Sequence, residues 1–469
     1  MRALPDGFLL GAATSAFQIE GVGPAPGRGE TIWDRFLAER GAADDGRVAC
    51  DHVARWREDL DLMAELGLDA YRFSVSWARV MPEGTGRVSS EGLGFYDRLV
   101  DGLLERGIRP WLTLYHWDLP QALEDRGGWR VRDSVGWFAD YAAVLAEALG
   151  DRVDVWLTQN EPWVASMLGH REGEFAPGAT DFREALTVAH HLLLSHGTAA
   201  RLLADATVGR VGVAPDVRPA FPASDRPGDV DAARHFDGFR NRWFLHPMLG
   251  LGYPEDVAED YRDRGVFDAA ESEGVVREGD LAAIAAPIDV LGVNYYTTLP
   301  VDASRREDDA PERPEGRDQP PGYTEMGWAI RPDGLRDLLL DLGRLVTASP
   351  VGRAGGPRGP VRLAVTENGA SWSDGPGPDG RIRDVRRARY VHDHVAAVLE
   401  AREAGAPVDA HLVWSLLDNL EWTQGYAQRF GLVHVDFATG TRTVKDSGRW
   451  LANVLTERRL VPPDDAGRD

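Results

Sequence analysis

The chain has 469 residues, of which 43% are hydrophobic, so it is long enough to bury a large core. It carries 52 lysines and arginines against 75 aspartates and glutamates, and this formal net charge of −23 opposes binding to nucleic acid or to anionic lipid surfaces. Its single cysteine, Cys50, excludes an intramolecular disulfide and a thiolate cluster that could hold zinc.

The basic side chains are almost all arginine, because Lys445 is the only lysine. Schiff-base aldolases, pyridoxal phosphate enzymes and P-loop nucleotidases each need a lysine in a defined position. The run Val444-Lys445-Asp446 matches none of their motifs. We therefore expect a protein that works without a cofactor and without nucleic acid as a partner.

The start of the chain has no obvious targeting segment. Met1–Gly7 contains one arginine, and the apolar run Phe8–Leu10 is far too short for the core of a signal peptide. No run approaches the ~18 apolar residues that a membrane helix needs. We expect a cytoplasmic protein that does not enter the membrane, and the sequence does not indicate its oligomeric state.

Short apolar runs, rich in β-branched and aromatic residues, alternate with amphipathic stretches along the chain. Eight of these runs are predicted as strands: Phe8–Ser15, Ala70–Trp77, Arg109–Trp117, Val153–Asn160, Arg210–Asp216, Ile288–Tyr296, Val361–Gly369 and Ala410–Asn419. Helices are predicted at Arg57–Leu66, Phe95–Glu105, Val135–Leu149, Ala185–Ala204 and Arg386–Ala404. A doubly wound sheet also alternates in this way, but eight strands favour a (β/α)8 TIM barrel.

Nothing in the sequence resembles a linker between domains, so we expect one barrel domain over residues 1–469 with its core from about residue 8 to about residue 455. Long loops at the rim of the barrel are expected at Val301–Gly322, which is rich in charge and proline, and at Val351–Pro360, which is rich in glycine, proline and arginine. Both are predicted to be mobile. Pro462–Asp469 is predicted to be a frayed tail.

Functional side chains of a (β/α)8 barrel gather at the carboxyl ends of its strands. Polar and aromatic residues occupy these positions in seven of the predicted strands: Gln18 after the first, Arg72 and Trp77 in the second, His116 and Trp117 in the third, Asn160 and Glu161 at the fourth, Asn294, Tyr295 and Tyr296 in the sixth, Glu367 and Asn368 in the seventh, and Trp414, Glu421 and Trp422 from the eighth. Such a mixture is typical of a sugar pocket, because sugar rings stack on aromatic faces and their hydroxyls need paired donors and acceptors.

Two of these residues are suited to breaking a glycosidic bond. Glycoside hydrolysis uses two carboxyl groups that flank the bond, about 5–5.5 Å apart when the configuration is retained. Glu161 lies in Asn-Glu-Pro and Glu367 in Glu-Asn-Gly, at the ends of strands that open onto the same mouth of the barrel. The spacing in the sequence does not give the distance between them.

Several motifs in one order resemble glycoside hydrolase family 1, from Phe8 to about Leu455. The two that contain the glutamates are Thr158-Gln159-Asn160-Glu161-Pro162 and Val365-Thr366-Glu367-Asn368-Gly369. The others are the segments Gly11–Gly21, Tyr71–Trp77, Leu114–Pro120 and Trp414–Trp422. The resemblance implies a retaining β-glycosidase acting on small-molecule β-glycosides or cello-oligosaccharides.

The resemblance also implies a role for each matched residue. Glu367 would attack the anomeric carbon, while Glu161 would act first as acid and then as base. Arg72 and Tyr296 would stabilise ionised Glu367, and an apolar surround together with the charge of Glu367 would raise the pKa of Glu161, so that opposite shifts are expected. Asn160, with Asn294 in support, would bind the sugar 2-hydroxyl.

The remaining matches divide between the two sides of the bond. The terminal sugar would be held by Gln18, His116, Trp117, Trp414, Glu421 and Trp422. The leaving-group side, or aglycone side, would be lined by Trp163, Trp328 and Phe430. Packing alone is an alternative explanation for the last three. Which of glucosides, galactosides and fucosides is preferred stays open.

Three departures from the family pattern concern the surroundings of the site. Phe175 begins a Phe-Ala-Pro-Gly segment where the family commonly has His-Ala-Pro-Gly, and Asp216, followed by Arg218, stands where an asparagine is common. Gln159 replaces an apolar residue beside the acid/base motif. The first two bear on the choice of leaving group rather than on the reaction.

Four other functions compete with this interpretation. A 6-phospho-β-glycosidase of the same family would carry a serine where this chain has Glu421, which would repel a phosphate. A plant-type thioglucosidase would lack the carboxylate of Glu161, and a sugar-binding relative would lack one or both carboxylates. A metal-dependent hydrolase would need ligands such as His392 and His394, which are two residues apart on a predicted helix and do not share a face.

Overall fold

The computed structural model describes residues 2–24, 27–267, 274–303 and 322–463. In these residues, eight parallel strands form a closed barrel. The strands are β1 (Leu9–Ala13), β2 (Ala70–Ser74), β3 (Arg109–Tyr115), β4 (Val155–Asn160), β5 (Arg210–Ala214), β6 (Val290–Asn294), β7 (Arg362–Asn368) and β8 (Val408–Trp414). Each strand pairs with the next, and β8 closes the barrel on β1 through pairs such as Leu412 with Gly11. The predicted (β/α)8 fold is confirmed.

Long helices surround the barrel. They are α1 (His52–Leu66), α2 (Ser90–Glu105), α3 (Asp133–Leu149), α4 (Phe182–Ala206), α5 (Pro332–Ala348), α6 (Val385–Glu403) and α7 (Asp446–Glu457). The five helices predicted from apolar spacing are confirmed and correspond to α1–α4 and α6. Between β5 and β6 the chain forms shorter helices, Pro227–Asp237, Trp243–Met248, Glu255–Asp263 and Asp280–Ile284, with a π-helical turn at Gly238–Arg242.

The loops contain short helices, helical turns and two-stranded sheets. Short helices are Ala16–Ile19, Ile32–Glu39, Trp77–Val80, Gln121–Glu124 and Pro350–Ala354, and single turns of other helical types are Gly128–Arg130, Val164–Leu168 and Trp422–Gln424. Three two-stranded pairs are Arg2–Ala3 with Arg459–Leu460, Ala220–Pro222 with Leu299–Val301, and Val433–Asp436 with Thr441–Val444.

The side chains of the strands fill two apolar layers because successive residues of a strand point to opposite faces. Inside the barrel lie residues such as Leu9, Trp111, Leu157 and Leu412, and the much larger outer layer packs between strands and helices. Gly11 allows close approach of neighbouring strands, since a Cβ there would lie 2.1 Å from the carbonyl oxygen of Ala70. With its interior filled, the barrel leaves space for a ligand only at its ends.

Several predicted boundaries were wrong. β2 ends at Ser74, and Trp77 instead begins the helix Trp77–Val80. The loop predicted at Val351–Pro360 contains the end of the helix Pro350–Ala354, because Ser349 accepts a hydrogen bond from the backbone of Gly352 and caps the first turn.

Other predicted segments lie largely beyond the described residues. Of the predicted loop Val301–Gly322, residues 304–321 lie outside the described part, as do residues 464–469 of the predicted tail. Within the described ranges, no helix combines the length and the hydropathy needed to cross a membrane.

Candidate active site

A cavity of about 260 Å³ opens at the carboxyl ends of the barrel strands. Eleven of the side chains chosen from the sequence line it together: His116, Trp117, Glu161, Trp163, Tyr296, Trp328, Glu367, Trp414, Glu421, Trp422 and Phe430. Arg72, Asn160 and Asn294 lie directly behind the two glutamates and bond to them or to each other. The predicted convergence at one mouth of the barrel is therefore present.

Glu367 is the next-to-last residue of β7 and is only 3% exposed. Its Oε1 accepts a hydrogen bond of 2.6 Å from Arg72 Nη1, and its Oε2 accepts one of 2.8 Å from the hydroxyl of Tyr296. Arg72 is itself fixed on β2, because Nε donates to Thr113 Oγ1 at 3.0 Å and Nη1 also donates to the carbonyl of Thr366 at 3.2 Å. The carboxylate is held with both oxygens bound.

Glu161 directly follows β4 and has a left-handed backbone conformation, with φ of 47°. Residues other than glycine rarely adopt this backbone conformation, and those that do are often found at functional sites. Its amide donates to the carbonyl of Ala214 at 2.8 Å, which fixes the turn against β5. Its Oε1 accepts a hydrogen bond of 2.6 Å from Asn294 Nδ2.

Two asparagines connect the surroundings of the glutamates. Asn160 Oδ1 accepts from Arg72 Nη2 at 2.6 Å and from Asn294 Nδ2 at 3.0 Å, so the orientation of its amide is defined. Its Nδ2 consequently points to His116 Nε2, 3.1 Å away. Asn294 is oriented in turn by Thr366, whose hydroxyl donates to Asn294 Oδ1 at 2.7 Å.

The two carboxyl groups differ in how firmly they hold a proton. Burial raises the pKa of Glu161 well above its ordinary value, and the negative charges of Asp216 and Glu367 raise it further. Burial also raises the pKa of Glu367, but Arg72 and the hydrogen bond from Tyr296 oppose that rise. The predicted opposite shifts are corrected to two unequal upward shifts, because burial acts on both groups.

Aromatic rings form one wall of the cavity. His116 stacks on Trp414, with 5.8 Å between ring centres, and Trp422 packs against Trp117 at 4.6 Å and Trp33 at 4.5 Å. Burial and the charge of Arg72 hold the pKa of His116 well below its ordinary value, so its imidazole is neutral near pH 7. The wall therefore offers flat apolar faces beside neutral polar atoms.

The segment that carries Glu421 and Trp422 is anchored by a buried ion cluster. Asp418 accepts hydrogen bonds from Lys445 Nζ at 2.7 Å, from Arg429 Nη1 at 2.8 Å and from the amide of Gly431 at 2.9 Å. The single lysine of the chain is thus a structural residue behind the site. It fixes the loop between β8 and the strand Val433–Asp436.

Gln18 lies beside the cavity rather than on its lining. Its Nε2 donates to the carbonyl of Leu420 at 2.7 Å and to Asn419 Oδ1 at 3.1 Å, while its Oε1 accepts from the hydroxyl of Ser15 at 2.6 Å. In this arrangement Gln18 supports the loop before Glu421. A direct contact between Gln18 and a sugar stays a prediction.

The outer part of the cavity contains residues that the sequence did not single out. Phe239, Met326 and Arg240 line it near Trp163 and Trp328. Arg240 forms an ion pair with Asp216 and lies over Trp163, with 3.4 Å from its guanidinium carbon to the ring centre. In the sequence, Asp216 stands out only as a departure from the family pattern. Arg240 gave no signal, because arginines are frequent throughout the chain.

Three residues from the predicted strand ends point away from the cavity. Trp77 stacks on Tyr141 at 4.7 Å in the outer layer, and the hydroxyl of Tyr295 donates to the carbonyl of Arg331 at 2.6 Å. Asn368 donates to the carbonyl of Tyr295 at 2.8 Å. Alternation at the ends of β6 and β7 explains the directions of Tyr295 and Asn368, since the neighbours of inward-facing residues face the helices, whereas Trp77 lies in a helix and not in β2.

The histidines considered as metal ligands do not converge. His392 Nδ1 bonds to Asp393 at 2.8 Å on the surface, whereas His394 is buried and stacks on Tyr390. In the described part of the chain, no group of three or more histidine, cysteine or acidic side chains is arranged to hold a metal ion.

Comparison with known proteins gives matches along nearly the whole chain. Residues 1–460 match the sequence pattern of Glycosyl hydrolase family 1. Beta-glucosidase A of Acetivibrio thermocellus is 42% identical over 462 residues, which cover 96% of this chain and 98% of that protein. The bifunctional beta-D-glucosidase/beta-D-fucosidase of Bifidobacterium breve is 39% identical over 477 residues, which cover 97% of this chain and 98% of that protein.

The fold gives a matching result. The β-glucosidase of Thermotoga maritima, solved in complex with glucoimidazole, is 40% identical and superposes with a TM-score of 0.87. The superposition covers 98% of this chain and 100% of the other. The similarity in sequence therefore extends to the barrel and its loops.

Proposed function

Because the chain belongs to glycosyl hydrolase family 1, and is therefore a retaining glycoside hydrolase, we propose that it removes terminal β-D-glucosyl residues by double displacement through Glu367 and Glu161. One observation carries the proposal. The two buried carboxyl groups come from the ends of β7 and β4, line one cavity, and lie near enough for the charge of Glu367 to raise the pKa of Glu161. A retaining mechanism requires two such carboxyl groups, about 5–5.5 Å apart.

Glu367 is proposed as the nucleophile that attacks the anomeric carbon and forms a covalent glycosyl-enzyme. A nucleophile must be ionised, and the contacts of Glu367 with Arg72 and with the hydroxyl of Tyr296 favour its charged form. Since both contacts are buried, they act in a medium where charge interactions are strong.

Glu161 is proposed as the general acid that protonates the leaving oxygen. Its burial and the neighbouring negative charges favour the protonated form, as an acid at neutral pH requires. Once Glu367 has become an ester, its charge is gone and the pKa of Glu161 should fall. Glu161 then acts as the base that activates water in the second step.

Asn160 is proposed to bind the sugar 2-hydroxyl, a contact that strengthens in the transition state. This role is supported by the hydrogen bonds that fix its Oδ1 to Arg72 and Asn294, because they leave its Nδ2 directed to the side of His116. The remaining sugar hydroxyls would meet His116 and Glu421. The ring would lie over Trp414, with Trp117 and Trp422 beside it.

The sugar is proposed to be unphosphorylated at its 6-position. Glu421 lines the cavity beside Trp422, and a carboxylate there would repel a phosphate. The alternative of a 6-phospho-β-glycosidase is therefore not favoured. Relatives named as a β-glucosidase and as a bifunctional β-D-glucosidase/β-D-fucosidase support a glucosyl substrate, with fucosyl and galactosyl groups as further candidates.

The leaving group is proposed to occupy the outer cavity between Trp163, Trp328 and Phe430. Rings of a cello-oligosaccharide or an aryl group could stack on these side chains. A cytoplasmic location and a single-domain organisation remain parts of the proposal.

The decisive experiment follows the hydrolysis of nitrophenyl β-glucoside by proton NMR. A retaining enzyme releases β-glucose first, which later mutarotates, whereas early α-glucose would contradict the proposal. Glu367→Gln should lower kcat/KM strongly for every substrate, whereas Glu161→Gln should lower it strongly for cellobiose, whose leaving group needs a proton. The exposed helix residue Glu147 offers a control, because Glu147→Gln should behave as wild type. Measurable sugar binding without turnover would favour the sugar-binding alternative.

The breadth of the sugar specificity needs a second measurement. A panel of nitrophenyl β-glucoside, β-galactoside and β-fucoside, with kcat/KM for each, would rank the three sugars. Undiminished activity in EDTA would remove the metal-dependent alternative.

A further inference from the structure

An ion pair lies on the leaving-group side of Glu161. Arg240, in the π-helical turn Gly238–Arg242, donates from Nη2 to Oδ2 of Asp216, which follows β5. Both side chains line the cavity, and each residue is only 8% exposed. The face of Trp163 supports the guanidinium, whose central carbon is 3.4 Å from the ring centre. The pair is thus built into the wall of the cavity.

Backbone contacts tie Asp216 to the residue that holds Glu161. The amide of Val217 donates to the carbonyl of Asn294 at 3.0 Å, and the amide of Asn294 donates to the carbonyl of Pro215 at 3.0 Å. The side chain of the same Asn294 bonds to Glu161. Asn294 therefore connects the segment of Asp216 to the carboxyl group of Glu161.

The charges of this cluster balance only when Glu161 is protonated. Arg72 pairs with Glu367, and Arg240 pairs with Asp216. Across the described residues, no cationic side chain forms an ion pair with Glu161, whose carboxyl group instead accepts from the neutral amide of Asn294. Ionisation of Glu161 in the free enzyme would leave one uncompensated negative charge in a buried site, which is unfavourable.

Other charged or titratable groups also face the cavity. His116 and Tyr296 are neutral, and Glu421 lies on the sugar side. The cavity is also lined by four charged residues that are partly or fully exposed, Arg171, Glu172, Glu174 and Arg218. The negative charge of Asp216 raises the pKa of Glu161, as does that of Glu367, while Arg240 lowers that pKa.

We propose that Asp216 and Arg240 are positioning residues for proton transfer: each charge of the pair acts on the proton of Glu161, and the balance between the two charges keeps Glu161 able to give that proton to the leaving group. This inference rests on the proposed role of Glu161 as acid/base. The two members act in opposite directions. Asp216 favours the protonated acid, and Arg240 offsets that effect.

Opposite substitutions test the pair through the pH dependence of kcat/KM. The basic limb of this profile, where kcat/KM falls as the pH rises, reports loss of the proton from Glu161. Asp216→Asn removes a negative charge but leaves Arg240, so the limb should move to lower pH by roughly one unit. Arg240→Gln leaves Asp216 unpaired, so the limb should move to higher pH by roughly the same amount. Arg240→Lys keeps the charge and should stay near the wild-type limb.

The double variant and a distant ion pair complete the design. Asp216→Asn combined with Arg240→Gln should return the limb towards wild type, which a merely structural effect would not do. Asp409 pairs with Arg362 at the opposite end of the barrel strands, and Asp409→Asn should leave the limb unmoved. Thermal unfolding of each variant identifies any variant that has failed to fold. If Arg240→Gln fails to fold, Asp216→Asn, whose limb should move, is compared with Arg240→Lys, whose limb should not.

Two controls separate this inference from the proposed function. Assayed with a dinitrophenyl glucoside, Glu161→Gln should lack the basic limb altogether. A limb that persists in Glu161→Gln would overturn the acid assignment and, with it, the role of the pair. A limb that is lost in Glu161→Gln but unmoved, or moved in one direction only, by the Asp216 and Arg240 substitutions would overturn the role of the pair alone.

Discussion

Arg72 and Glu367 form a buried ion pair with 2.6 Å between Nη1 and Oε1. The other end of the same guanidinium, Nη2, lies 2.6 Å from Oδ1 of Asn160, the residue before Glu161. A single side chain on β2 therefore connects the ends of β4 and β7. The orientation of both proposed catalytic residues depends on it.

Replacing Arg72 should weaken catalysis and change its acidic limb. Arg72→Gln removes the cation beside Glu367, so the pKa of Glu367 rises further. Because Glu367 must be ionised, the acidic limb of kcat/KM should move to higher pH, and kcat/KM at the optimum should fall on the order of a hundredfold. Arg362→Gln, at the other end of β7, is the control. An unmoved acidic limb would contradict the assignment of Glu367.

Tyr296→Phe should give a smaller change of the same sign. It removes the hydroxyl that donates to Glu367 Oε2 at 2.8 Å and keeps the ring that packs on Trp328 at 5.1 Å. A hydrogen bond to a charged group contributes ~1.5–3 kcal/mol, so kcat/KM should fall by roughly ten- to a hundredfold. The neighbouring Tyr295 faces the helices, and Tyr295→Phe should leave the pH dependence of kcat/KM unchanged.

The difference between these two tyrosines illustrates what the sequence could predict. Apolar runs and their alternation located all eight strands, and the motifs around Glu161 and Glu367 located the site. Alternation alone does not predict which residue at a strand end faces inward, since positions 295 and 296 are both tyrosine. The end of β2 was also misplaced, because Trp77 is as compatible with a strand as with the helix that it begins.

Contacts between distant parts of the chain could not be predicted from the sequence. Arg240 reaches Asp216 from a π-helical turn 24 residues away. A single sequence gives no sign of such pairing when arginine is abundant. The anchoring of Asp418 by Lys445 is not predicted either, because the two residues are 27 positions apart and no local motif links them. Burial also reversed the expected direction of the pKa shift at Glu367, because desolvation depends on packing that no local motif encodes.

Glu367→Gly should abolish hydrolysis and regain turnover when azide is added. The small residue leaves space in which azide can attack the anomeric carbon from the side that Glu367 occupied. A single displacement then gives a glycosyl azide of inverted, α configuration, which NMR identifies. Glu367→Gln fills that space and should not be rescued. Formation of the β-azide would mean that Glu367 is not the nucleophile.

Glu421 should control whether a phosphorylated sugar is accepted. Glu421→Ser removes a charged acceptor beside Trp422, so kcat/KM for nitrophenyl β-glucoside should fall by roughly ten- to a hundredfold. The same change removes the repulsion between the carboxylate of Glu421 and a sugar phosphate. The preference for nitrophenyl β-glucoside over its 6-phosphate should therefore become smaller. The ratio of the two kcat/KM values measures this preference. A wild-type enzyme that cleaves both substrates equally well would contradict the proposed role of Glu421.

Glu161→Ala should separate the two steps of the reaction. A leaving group that departs without a proton, such as dinitrophenolate, should still be released in the first step, whereas cellobiose should be cleaved very slowly. Without a base, the second step becomes limiting, so a burst of dinitrophenolate should precede a slow steady state. The basic limb should also disappear, because the raised pKa of Glu161, which works as the acid, determines the pH at which that limb begins. Equal losses of kcat/KM for both substrates, with the basic limb retained, would show that another residue supplies the proton.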